Sequence, residues 1–86
     1  MPRFSYPRDA TIRVLRETFG CEVSEVNIGE TPGDAFLIIT RSGALQEAVL
    51  YVQPYEILYF ALEQVAPDLG IDYDDLITAL DREVEY

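Results

Sequence analysis

The chain contains no lysine, no histidine and no tryptophan, and it has a single cysteine. Each absence closes off some chemistry. Without histidine there is no Ser-His or Cys-His pair to generate a nucleophile. One cysteine, Cys21, cannot form an internal disulfide, so a disulfide scaffold is excluded. Glu22 beside it opposes thiolate formation, which favours a small core residue over a nucleophile. No GxGxxG, no GxxxxGKS and no zinc-ligand spacing occurs. The start, MPRFSYPRDA, lacks the apolar run of a signal peptide, and no apolar stretch approaches the roughly 18 residues of a membrane span. These features lead us to expect a cytoplasmic protein.

What is present is acid. Sixteen Asp and Glu stand against six basic residues, all Arg, for a net charge of −10 over 86 residues. Nucleic-acid binding takes its affinity from neutralised phosphates and needs a basic surface. Direct contact with nucleic acid is therefore not expected, nor is contact with an anionic membrane. The complementary partner is a basic surface on another protein. A competing reading is a salt-adapted host protein whose acids only keep it hydrated, with hydrophobic contacts such as a homodimer formed through an open edge strand. The lack of lysine fits a GC-rich or halophilic source.

The length suits one domain, and an apolar fraction of 49% with ten aromatic residues is enough for a small core. Residues 1–7 read as an extended arm limited by Pro2 and Pro7. Residues 8–19 read as a helix capped by Asp9 and ended by Gly20, with Ile12, Leu15 and Phe19 on one face and Arg13 one turn from Glu17. Residues 21–28 read as a strand whose apolar phase changes at Ser24-Glu25, suggesting a bulge. A turn at Pro32-Gly33 leads to the apolar run of residues 35–41, a central strand. Ser42-Gly43 suggests a short hairpin connection to a third strand over residues 45–53, where helical spacing is a competing reading. Pro54 suits the first position of a helix over residues 54–66 with Leu58, Ala61, Leu62 and Val65 inward. A turn over residues 67–70 precedes a last helix from near Asp72 to about Val84, with Tyr73, Leu76, Ile77, Leu80 and Val84 on its apolar face.

The fold class is therefore α+β, in the order α-β-β-β-α-α: a three-stranded antiparallel meander with helices packed on one face. Phe36, Ile38, Leu58, Leu62, Val65, Leu76, Ile77 and Leu80 are expected in the core. The first five elements resemble the double-stranded-RNA-binding fold in order, but the chain lacks the basic residues with which that fold holds phosphate.

No constellation of residues points to an enzyme or a cofactor. Paired carboxylates need a pocket, for which so small a domain has little room beside its core. The run Asp72-Tyr73-Asp74-Asp75 invites a calcium reading. An EF-hand loop counted from Asp72 would place Ile77 where glycine is required, so an N-cap followed by first-turn acids fits better.

Charge is unevenly distributed. Residues 1–20 carry four Arg and two acids, residues 21–43 four acids and Arg41, and residues 44–86 ten acids and Arg82. On the last helix Asp74, Asp75, Asp81 and Glu85 recur opposite the apolar face. Glu83 and Glu85 sit where the helix dipole disfavours them, which suggests use in binding. Tyr55, Tyr59 and Glu63 fall on one i, i+4 row of the preceding helix, with Glu56 beside them, and tyrosine is enriched at interfaces. The expectation is a small inhibitor or adaptor that docks this acidic half on a basic groove. In its sharpest form it is a nucleic-acid mimic, similar in style to the acidic phage inhibitors of restriction and CRISPR defence.

Overall fold

In residues 35–40 and 48–52 side chains alternate between a covered and an open face, and this alternation organises the molecule. The computed structural model describes residues 4–27, 35–44 and 46–84. The elements are β1 (Ser5–Pro7), α1 (Arg8–Glu17), β2 (Glu22–Asn27), β3 (Ala35–Thr40), β4 (Ala48–Val52), β5 (Glu56–Leu58), α2 (Tyr59–Asp68) and α3 (Tyr73–Val84). Strands β2, β3 and β4 form the expected antiparallel meander, with Glu25 opposite Leu37 and Leu37 opposite Leu50. The helices cover one face of it, where Ala35, Leu37, Ile39, Ala48, Leu50 and Val52 are buried with Leu15, Leu62, Val65, Leu76 and Leu80.

The phase of β3 is the reverse of that expected. Phe36 is 41% exposed and Ile38 half-buried, because both lie on the open face. Leu58 and Ile77 are likewise only half-buried. The inward face carries the small residues Ala35 and Ala48, which let helices approach closely, and the bulky Phe36 packs instead across the open face. Its ring meets Tyr51 edge-on with centroids 5.9 Å apart.

The phase change in β2 is not a bulge either. Pairing with β3 runs unbroken from Glu22 to Asn27, so Glu25 points to the helix side and Val26 to the open side. Arg8 makes this tolerable by forming an ion pair with Glu25. Arg16 also donates to the Val23 carbonyl at 3.0 Å. An inward charge and an occupied carbonyl blunt this sheet edge against further pairing.

Of the expected arm, Ser5–Pro7 form a strand, and residues 1–3 lie outside the described residues. β1 pairs antiparallel with β5, placing Tyr6 opposite Ile57, and both side chains are buried. This pairing overrides the helix expected from Pro54. The Tyr59 N–H donates to the Phe4 carbonyl at 3.0 Å, so α2 begins only at Tyr59 and runs on through Pro67 to Asp68. The Arg8 N–H likewise donates to the Tyr55 carbonyl at 3.0 Å, so α1 starts after Pro7, and Asp9 lies in its first turn rather than at its cap. Gly20 (φ 68°) and Gly70 (φ 69°) take the left-handed conformation that ends α1 and α2. The connection from β3 to β4 spans residues 41–47 and is longer than a tight hairpin turn.

Arg41 joins the ends of those two helices. Its Nε donates to the Phe19 carbonyl at 3.0 Å, and its Nη1 to the carbonyls of Leu69 and Gly70, each at 3.1 Å. Cys21 is buried nearby. Burial raises the pKa of its thiol above the ordinary value of 9.0, and the Arg41 charge partly offsets this. The folded chain thus holds this proton more tightly than the unfolded chain. Stability from this group is full below about pH 9 and is lost as pH rises through the thiol's range. At pH 8, DTNB is expected to leave native Cys21 unmodified and to react with one thiol per chain after denaturation. Rapid reaction of the native protein would contradict the burial.

Candidate functional site

Helix α3 begins as expected. The Asp72 carboxylate accepts the N–H groups of Asp74 at 2.8 Å and Asp75 at 3.4 Å, an N-cap that leaves both following acids in the first turn and exposed. Asp81 lies farther along the helix and is only half exposed. It accepts the Tyr6 hydroxyl at 3.2 Å, so it helps hold β1 to α3. Glu83 pairs with Arg13 at 2.7 Å, and Arg13 also meets Glu17 at 3.9 Å. The dipole-disfavoured position of Glu83 is thus offset within the molecule and needs no external ligand. Glu85 lies outside the described residues.

The expected row on α2 is shortened. Tyr55 precedes β5 rather than sitting in a helix, and it is 87% exposed. Glu56 belongs to β5 and accepts the Ser5 hydroxyl at 2.9 Å. Tyr59 and Glu63 remain one turn apart on α2. The Tyr59 ring is half-buried and stands edge-on to Phe4 and Phe60, with both centroid distances 5.7 Å.

Helix α2 packs against α3, and Tyr73 lies within electrostatic reach of Glu63, Tyr59 and Asp74. Burial raises the pKa of the Tyr73 phenol above its ordinary 10.0, and Glu63, Tyr59 and Asp74 add to the shift in that order. The phenol therefore stays protonated, and able to donate a hydrogen bond, throughout the neutral range. The sequence reading missed Tyr73 as a surface residue because its spacing places it on the apolar stripe of α3. Its two flanking aspartates were the available signal. Helix α2 has no basic residue and α3 has only Arg82, in its last turn. The face built from Tyr59, Glu63, Tyr73 and Asp74 therefore offers carboxylates and phenols without a neighbouring cation on either helix, whereas Asp75, two residues after Tyr73, points to another side of α3.

A cavity of about 480 Å³ lies on the other side of α2, where the helix passes β4. Its walls are largely aliphatic and aromatic, with Glu56 and Asp68 among them.

Comparison of the chain with protein-family models, with curated proteins and with solved structures finds no match in any of the three.

Proposed function

We propose that this chain is a protein-binding inhibitor or adaptor that applies the face formed by Tyr59, Glu63, Tyr73 and Asp74 to a basic surface of a partner protein. The observation that carries this reading is the packing of α2 against α3, which leaves half-buried Tyr59 and Tyr73 and exposed Glu63 and Asp74 within electrostatic reach of one another. Fixed phenols supply contact area at little entropic cost, and the carboxylates supply charge complementarity. Asp81 and Glu83 have partners within the chain, so Asp74 and Glu63 are the carboxylates of this face left to stand in for phosphates if the partner's surface is a nucleic-acid site.

Charge reversal tests the reading once a partner has been captured from the source cell and purified. Glu63→Arg with Asp74→Arg should weaken binding at least tenfold at low salt. Glu22→Arg with Glu47→Arg changes net charge by the same amount on exposed positions elsewhere and should have little effect. Equal effects would show a general field and sink the assignment to this face. Competition with nucleic acid for the partner separates mimicry from adaptor binding, since a stable ternary complex excludes mimicry.

A further inference from the structure

The two edges of the three-stranded sheet differ. Strand β2 is guarded by inward-pointing Glu25 and by Arg16 on the Val23 carbonyl. Strand β4 ends the sheet on the other side, pairing with β3 and with no other described strand. The cavity of about 480 Å³ touches Val49, Leu50 and Tyr51, three consecutive residues of β4. Consecutive side chains point to opposite faces of a sheet, so a cavity that meets all three runs along the strand's edge. Its far wall is α2, through Phe60, Ala61 and Gln64.

We propose that this groove is a strand-addition site for an extended, cationic segment of another protein. The segment would lie antiparallel or parallel to β4 and set its apolar side chains on the helix side against Phe60 and Ala61, with its Arg or Lys side chains reaching Glu56 and Asp68. Charge selects this occupant. The lining contains those two carboxylates and no basic residue, and neither is among the ion pairs of the described residues. Glu56 accepts only the Ser5 hydroxyl and Asp68 only the Gln46 amide in the hydrogen bonds seen, both neutral donors. A second copy of the chain, also at −10, is disfavoured by the same charge. Backbone bonds along β4 would give affinity, and the alternating pockets would give selectivity. This site is separate from the tyrosine and carboxylate face across α2 and does not rest on it.

The probe is a fluorescent seven-residue peptide alternating Arg and Val, followed by anisotropy with the full chain at 0.15 M salt. We expect saturable binding, weakened at least tenfold when every Arg is replaced by Glu and again in the variant Ala61→Arg. A strand presents its amides to one neighbour at every second residue. N-methylation of the Arg amides and of the Val amides should therefore give unequal losses, at least tenfold in one peptide and small in the other. Glu63→Arg with Asp74→Arg should leave peptide binding within about threefold, which separates failure here from failure of the face across α2. The proposal is overturned if the basic peptide does not bind, if the two methylated peptides bind alike, or if Ala61→Arg, confirmed folded, binds as well as the parent. Concentration-dependent dimerisation abolished by Ala61→Arg would also overturn it, by showing that a second copy occupies the groove.

Discussion

Leu37→Ala is expected to lower stability by about 2–5 kcal/mol, the range for truncating a fully buried leucine. Leu37 is 0% exposed and faces the helices. Phe36→Ala, one residue earlier, removes a larger side chain but should cost about 1 kcal/mol, chiefly its edge-on contact with Tyr51. The inequality tests the phase of β3, since the opposite phase would reverse the order. Total stability of a domain is about 5–15 kcal/mol, so the leucine variant should lose a large share of it. Urea unfolding of both variants, with unchanged m, provides the measurement. A Phe36→Ala loss equal to or greater than that of Leu37→Ala would reject the phase.

Arg41→Met should be nearly as damaging, by about 2–4 kcal/mol, although the removed group is only half-buried. Methionine keeps much of the aliphatic stem, so packing changes little. What is lost is the guanidinium that serves three carbonyls at the ends of two helices. Those carbonyls lie at helix C-termini, where positive charge is also favoured by the dipole. For a domain of this size the midpoint should fall by roughly 8–32 °C, at about 4–8 °C per kcal/mol. Arg41→Lys should recover less than half of the loss, because one ammonium lacks the planar fork that reaches both helix ends. Full rescue by lysine would show that charge alone matters there. A negligible loss in Arg41→Met would show that water replaces these bonds.

Several of these features were legible in the sequence. The meander, α1, α3 and its Asp72 cap follow from periodicity and turn residues, as does the Arg13–Glu17 pair. The phase of β3 does not, because AFLIIT is apolar at nearly every position and carries no alternation. Its partner β4 does not resolve the matter, since AVLYV is also apolar throughout, and the alternation of buried Ala48, Leu50 and Val52 with exposed Val49 and Tyr51 appears only once the helices cover one face. In β2, Glu25 looked like a break in pattern because its counter-ion, Arg8, lies in another element.

Long-range pairing is the other thing a sequence hides. Nothing near Ser5–Pro7 announces a strand partner at Glu56–Leu58, so local signals made the first an arm and the second part of a helix. For the candidate site, the acidic bias was visible, but the assembly was not. Asp81 proved to serve Tyr6, Tyr55 left the helical row, and Tyr73 joined the face from a position that spacing assigned to the core.

The bond from Tyr6 to Asp81 links residues 75 apart in the chain. During synthesis at roughly 5–20 residues per second, about 4–15 s pass between the appearance of the two. The strand partner of β1, β5, is made before Asp81, but α3 is completed only after it, so until the last helix emerges the core face of the sheet is only partly covered. The first 43 residues carry five Arg and six acids, close to neutral, while most of the negative charge is translated last. The growing chain is thus most prone to stick to its neighbours in its first half. The helices that cover the sheet and the charge that keeps chains apart arrive together.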